Sequence, residues 1–385
     1  MVKHSSRIEL RKSAYKSNIN FIKKKIGKNV IFSSVIKANA YGHGIDVFVP
    51  MAESCGVDHF SVASAYEAWE VLQVCNPDSH IMIMGILYED DIPWAIENNI
   101  EFYVYNYDRL SVTLAAAKKV GKPAKIHIEV ETGANRTGMP KEEFSKSLTF
   151  LKNNADFLVF EGLCTHLGGA ESFANNFKIE KQLKNFKTFL TKCKQKKVMP
   201  HLRHVASSAA ALSIKESLYD MVRVGVAQYG FWPSPDIYYT HINQVGKNKD
   251  GALKRIITWK TDIMDTRKVN EGEFIGYGTA FQAVRKMNIA VIPLGYCNGY
   301  PRGLSNRGYV LIQGKKAPIV GLINMNLFMV DITHIPKAKV GDEVVLIGRQ
   351  NNNVIHISSF TNFTNLLNNE MLSRLPASIP RKVVR

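Results

Sequence analysis

Acidic side chains are scarce in this 385-residue sequence: 33 Asp and Glu stand against 50 Lys and Arg, a formal net charge of +17. The basic clusters Lys23-Lys24-Lys25, Lys192 to Lys197 and Lys315-Lys316 are nevertheless spread along apparent helical or turn segments, and no basic stripe is interleaved with aromatics. This distribution favours a generally basic surface over a nucleic-acid face. Such a surface still attracts anionic substrates and an anionic cofactor. Cysteine is sparse too. Cys55, Cys75, Cys164, Cys193 and Cys297 are scattered, odd in number and free of any C-x-x-C pair, so neither a metal centre nor a disulfide framework is expected, and a reduced, cytoplasmic setting fits. Met1 to Gly27 is interrupted by Lys and Arg and does not read as a signal peptide. No segment approaches the roughly 18 uninterrupted apolar residues of a membrane span. A G-x-G-x-x-G turn after an early strand is also missing, which weakens the case for a doubly wound dinucleotide-binding sheet.

The chain has ample core material, being 45% hydrophobic and 22% charged, and its length suits two domains. Eight short apolar segments are bounded by turn residues or helical spacers: Val30 to Ile36, His59 to Ser64, His80 to Gly85, Ile100 to Tyr105, Lys125 to Val130, Phe160 to Thr165, His201 to Ala206 and Met221 to Ala227. Helical periodicity fills Glu67 to Cys75, Arg109 to Val120, Lys141 to Asn153 and Phe177 to Lys196. The alternation predicts an α/β fold, a (β/α)₈ TIM-type barrel over residues 11–240. After Thr240 the composition changes. Gly246 to Gly251 reads as an exposed loop, and Ile256 to Thr266, Ile289 to Leu294, Gly308 to Gln313, Ala317 to Gly321 and Glu343 to Gly348 read as strands. A mostly β domain is therefore expected over 241–385, with one helix near Ser358 to Asn368.

Barrel enzymes carry their chemistry at the carboxyl ends of the strands. Here strand one runs into Lys37, strand five leads toward Arg136, and strand six into His166; strand seven ends at Ser207-Ser208, and strand eight carries Arg223 and Gly225. A lysine ending an apolar strand either snorkels to solvent, pairs with an acid or is used chemically. Beside hydroxyl, amide and guanidinium donors, a desolvated amine suits covalent capture of an aldehyde cofactor held by its phosphate.

The run Val35-Ile36-Lys37-Ala38-Asn39-Ala40-Tyr41-Gly42-His43-Gly44 resembles the cofactor-lysine signature of alanine racemases, and Arg136, His166, Ser208, Arg223 with Gly225, Tyr277, Tyr296 and Met325 fall in family segments in the family's order. The resemblance implies an amino-acid racemase dependent on pyridoxal 5'-phosphate, working as a homodimer with shared sites, in which residues 1–10 join the C-terminal domain. Lys37 would bind the cofactor and act as one catalytic base. Tyr277, from the partner subunit, would be the other. Tyr41, Ser208, Gly225 and Val226 would hold the phosphate, Arg223 the ring nitrogen with support from His166, and Arg136 the cofactor phenolate and substrate carboxylate. Met325, Asn326 and Tyr296 would line the substrate side.

Three departures stand out. Glu129 occupies the place where many family members have a modified lysine, and would orient Arg136 by its own carboxylate. Asn326 and Asn298 stand where the family commonly has aspartate. Loss of that acidity would widen the substrate range from alanine toward serine or several amino acids. A barrel-type decarboxylase shares the lysine logic without needing Tyr277.

Overall fold

A computed structural model describes residues 3–246, 251–364 and 366–385, so most of the expected Gly246 to Gly251 loop lies outside the described residues. Strand β1 (Ser6–Arg11) opens the chain. The next eight strands are β2 (Ile31–Val35), β3 (His59–Ser64), β4 (His80–Ile86), β5 (Glu101–Val104), β6 (Ala124–Glu129), β7 (Leu158–Cys164), β8 (Leu202–His204) and β9 (Met221–Val224). Each falls within or beside one of the eight apolar segments. All neighbours pair in parallel in the order β8-β7-β6-β5-β4-β3-β2-β9. The Asp220 and Arg223 amides donate across the remaining seam to the Arg203 and Ala206 carbonyls at 3.0 and 2.9 Å, leaving a nearly closed barrel.

The spacers form helices for reasons visible in their sequences. In Asn176–Lys196, Ile179, Gln182, Leu183, Phe186, Phe189 and Cys193 are buried at three- and four-residue steps, forming one stripe. Tyr107–Val120 is capped by the Asn106 side chain, which accepts from the Arg109 amide, and ends at Gly121. Several helices escaped the sequence reading. Pro235–Val245 starts with Ser234 as its cap and Pro at its first turn, and Ile45–Glu53 contains Pro50, a residue that argues against a helix on propensity.

The remaining strands are β10 (Ile257–Asp262), β11 (Asp265–Val269), β12 (Met287–Ile292), β13 (Tyr309–Ile312), β14 (Lys315–Val320), β15 (Phe328–Asp331), β16 (Glu343–Gln350), β17 (Asn353–Ile355) and β18 (Arg381–Val384). They build a second, largely antiparallel sheet in the order β11-β12-β15-β14-β13-β16-β10-β1-β18, with β17 on β16. The N-terminal strand pairs there with β10 and β18.

By contacts the chain divides into a β unit, Met1–Lys12, Asn39–Phe48 and Arg255–Arg385, and a barrel unit, Ser13–Ala38 and Val49–Lys254. The β unit thus gathers the segment Asn39–Phe48 in addition to the N-terminal strand, a segment that the expected span 11–240 keeps with the barrel. The physical cause is local: the Arg381 guanidinium donates to the Gly42 carbonyl at 3.0 Å, and a Cβ on Gly42 would lie 1.9 Å from the Leu372 carbonyl oxygen.

Candidate active site

Lys37 opens a single helical turn, Lys37–Tyr41, directly after β2. That turn is left-handed: Ala38, Asn39, Ala40 and Tyr41 have φ of 53°, 53°, 52° and 53°. L-residues avoid this hand by roughly 1–2 kcal/mol each, so the surroundings must enforce it. The Glu67 carboxylate accepts from the Ala38 amide at 2.6 Å and from the Ala63 amide at 2.7 Å, tying the turn's start to β3. Further along, Asn39 Oδ1 accepts from the Ile45 amide, and the buried His43 ring donates through Nδ1 to the Ala40 and Tyr41 carbonyls at 2.9 and 3.0 Å. Burial and the Arg381 charge outweigh those hydrogen bonds and lower His43 to about 4. Gly42, at φ 78° with no room for a Cβ, ends the turn.

Within the barrel unit, the walls around Lys37 desolvate its amine and the Arg136 charge opposes it, so its pKa is lowered although Glu67 pulls the other way. His166 follows β7 and is lowered to about 3, first by desolvation, then by the charges of Arg223, Arg136 and Lys37. A neutral imidazole thus sits among three cations, a field that calls for an anion.

Arg223 is 6% exposed. Its Nη1 donates to His204 Nδ1 at 2.5 Å and to the His204 carbonyl at 2.9 Å, and its Nη2 donates to the Thr165 carbonyl at 2.8 Å. Support for Arg223 therefore comes from His204 and Thr165. His166, expected to support Arg223, shares no hydrogen bond with it among the described residues and acts on it through proximity of charge.

Ser208 Oγ accepts from the Gly225 amide at 2.9 Å and the Ala227 amide at 3.4 Å, which leaves its own hydrogen to donate. The structure brings Ser208 and the β9 turn with Gly225 and Val226 together. Ser207 Oγ, one residue earlier, is buried without a hydrogen-bond partner among the described residues. An orphaned hydroxyl, a donating hydroxyl and surplus cations fit a bound phosphate ester.

Arg136 is looser. Its side chain is 62% exposed and lies 3.9 Å from Glu129, beyond hydrogen-bond reach, so Glu129 exerts a weaker hold than expected. The loop before Arg136 is instead shaped by Glu131, whose carboxylate accepts from the Gly133, Ala134 and Asn135 amides.

In the β unit, Tyr277 is 77% exposed and stands between Gly276 and Gly278, whose φ values of 82° and 69° throw the ring outward. Met325 is 55% exposed rather than core filling, and Tyr296 is 42% exposed. Their loops are locked together. The Tyr296 and Cys297 amides donate to the Asn324 and Met325 carbonyls at 3.1 Å each, and Asn326 Nδ2 meets Cys297 Sγ at 3.0 Å. Asn298 Oδ1 accepts from the Gly295 amide at 3.0 Å.

A lysine amine with lowered pKa, guanidinium groups and phosphate donors at a barrel's carboxyl rim define a lysine-cofactor enzyme. Residues 10–233 match the model of the alanine racemase N-terminal domain, and residues 256–383 that of the C-terminal domain. Alanine racemase 1 of Caldanaerobacter subterraneus subsp. tengcongensis is 32% identical over 376 residues, 98% of this chain and 94% of that protein. The alanine racemase of Halothermothrix orenii is 34% identical, covering 97% and 95%. A crystal structure of alanine racemase from Bartonella henselae with covalently bound pyridoxal phosphate superposes with a TM-score of 0.82 at 25% identity, covering 99% and 100%. The chain belongs to the alanine racemase family.

Proposed function

We propose that this protein interconverts L- and D-alanine with pyridoxal 5'-phosphate, using Lys37 and Tyr277 as bases on opposite faces of the substrate α-carbon. The observation that carries the reading is the Lys37 amine, lowered in pKa and grouped with Arg136, His166 and Arg223. The cofactor, when bound, draws electron density from the α-carbon and makes its C–H acidic. Ser208 and the Gly225 and Val226 backbone, with Tyr41, hold its phosphate. Arg223 keeps its own proton and donates toward the ring nitrogen. Arg136 offers a planar fork to the phenolate and the substrate carboxylate, while Met325, Asn326 and Tyr296 bound the substrate.

Inversion requires a proton to leave one face of the α-carbon and another to arrive on the opposite face, which one base cannot do. A neutral Lys37 amine can accept the first while the Tyr277 phenol supplies the second. The reverse substrate exchanges these roles. In this reading Tyr277 comes from the partner subunit of a homodimer, residues 11–240 form the cofactor-binding region, and residues 241–385 with strand 1–10 form the second. The protein acts in the cytoplasm. Its five cysteines are free, and among the described residues no helix is long and apolar enough to cross a membrane. Asn298 and Asn326, in place of acidic residues, favour a substrate range that extends to serine.

Purified protein given single L-amino acids should turn visibly yellow with cofactor and generate the D-enantiomer of alanine. Turnover confined to alanine would remove the wider range, and release of carbon dioxide without inversion would replace the reading by a decarboxylase. Mixing inactive Lys37→Ala and Tyr277→Phe proteins should restore about a quarter of wild-type activity, since half the dimers are then mixed and each has one intact site. No recovery would place both bases on one chain.

A further inference from the structure

Behind Arg223 the barrel interior carries a polar chain that reaches two residues, His127 and Glu101, to which the reaction described above gives no part. From Arg223, Nη1 meets His204 Nδ1 at 2.5 Å; His204 Nε2 meets His127 Nδ1 at 2.8 Å; and His127 Nε2 meets Glu101 Oε2 at 2.8 Å. All four residues are buried: Arg223 6%, His204 0%, His127 0% and Glu101 4% exposed. They come from β9, β8, β6 and β5, and Glu101 stands at the first position of β5, on the barrel end away from Lys37.

The direction of every hydrogen bond follows from one fact: a guanidinium only donates. His204 Nδ1 must therefore accept, so a neutral His204 carries its hydrogen on Nε2. That hydrogen points at His127 Nδ1, which must also accept. His127 then carries its hydrogen on Nε2 and donates to Glu101. An ionised Glu101, an acceptor at both oxygens, takes that hydrogen at Oε2. Two neutral imidazoles thus connect a cation at one end to an anion at the other. The surroundings agree. Burial pushes the Glu101 carboxyl up, but His127, His59 and His80 outweigh it and hold it well below the usual carboxylate range. Burial and the Arg223 charge lower His204 far below the ordinary imidazole value. Two more rings face Glu101, His80 Nδ1 at 3.3 Å and His59 Nε2 at 3.6 Å.

We infer that Glu101 is a positioning residue for Arg223, acting through His127 and His204 as a buried counter-charge that fixes both tautomers and aims the guanidinium. The inference rests on the proposed cofactor reading only for what Arg223 then touches. Nothing in the sequence announces it, because the members are separated by 19, 77 and 26 positions.

The test begins with the wild-type protein before cofactor is added. Nitrogen-15 NMR of labelled histidine, assigned with His127→Asn and His204→Asn, should show both rings as Nε2–H tautomers with far-downfield N–H protons. Glu101→Gln keeps an acceptor oxygen and removes the charge. Its His127 N–H proton should move upfield, and kcat should fall about tenfold with KM for alanine unchanged. Glu101→Met removes the acceptor and should lose the downfield His127 signal. A His204 proton found on Nδ1 in the wild-type protein overturns the relay, whether or not a Glu101 variant folds. Unchanged kcat and unchanged cofactor absorption in a folded Glu101→Gln protein overturn its hold on Arg223. A wild-type protein that stays colourless with pyridoxal phosphate would defeat the cofactor reading instead, and the tautomer pattern decides the relay in that case too.

Discussion

Arg223 in the barrel unit is 6% exposed with its fork filled by His204 and the Thr165 carbonyl, whereas Tyr277 in the β unit is 77% exposed on a loop between two glycines. The difference separates two ways of preparing a functional group. A buried guanidinium stripped of its partners costs about 3–5 kcal/mol, so its neighbours dictate its place before any ligand arrives. An exposed phenol feels no such constraint. Its setting is completed by whatever surface closes over it, which in the proposed dimer is the partner's barrel.

The sharpest break between the two regions should come from their bases. Lys37→Ala is expected to abolish visible absorption with cofactor and to lower racemisation by about 10⁴-fold; persistent colour would move the attachment point elsewhere. Tyr277→Phe should lower racemisation by about 10²–10³-fold while leaving absorption and cofactor affinity intact. A colourless Tyr277→Phe protein would erase the distinction between a binding half and a reacting half.

Confinement should also extend beyond Arg223 into the segment after Lys37. Gly42→Ala puts a Cβ against the Leu372 carbonyl at positive φ, and chemical denaturation should report a loss on the order of 3 kcal/mol. His43 has a pKa of about 4 when folded against an ordinary 6.5. Between those values the unfolded chain binds more protons, so stability falls as pH drops through 6.5 and the loss is complete near 4. Unfolding free energies from urea titrations at pH 7 and pH 5 should differ by about 2 kcal/mol from this group alone; a flat profile would mean that the ring is not held neutral. The smallest effect belongs to the loosest pair. With 3.9 Å between Glu129 and an exposed Arg136, Glu129→Gln should alter turnover by less than about threefold. A tenfold loss would show that Arg136 is held as firmly as Arg223.

The barrel was readable because each strand is a short apolar run cut off by turn residues, and β2 through β9 appear where those runs lie. Helix Pro235–Val245 was not, since the change in composition near Thr240 hid a helix crossing it. In the site, Lys37, Arg223 and Ser208 could be found because each ends or follows a barrel strand in a recognisable run. His204, Thr165 and Glu67 could not. Thr165 acts through a carbonyl that any residue possesses, Glu67 through amides of other segments, and His204 through a tautomer set by a partner 19 positions away.

The backwards coil from Ala38 to Tyr41 makes the aim of Lys37 a property of the finished molecule rather than of its own stretch of sequence. A peptide spanning those residues would relax to the ordinary hand and point its amine elsewhere. Grafting the run from Lys37 to Gly44 onto another barrel would therefore transplant the letters without the geometry, unless the counterparts of Glu67, Leu372 and Arg381 travelled with it.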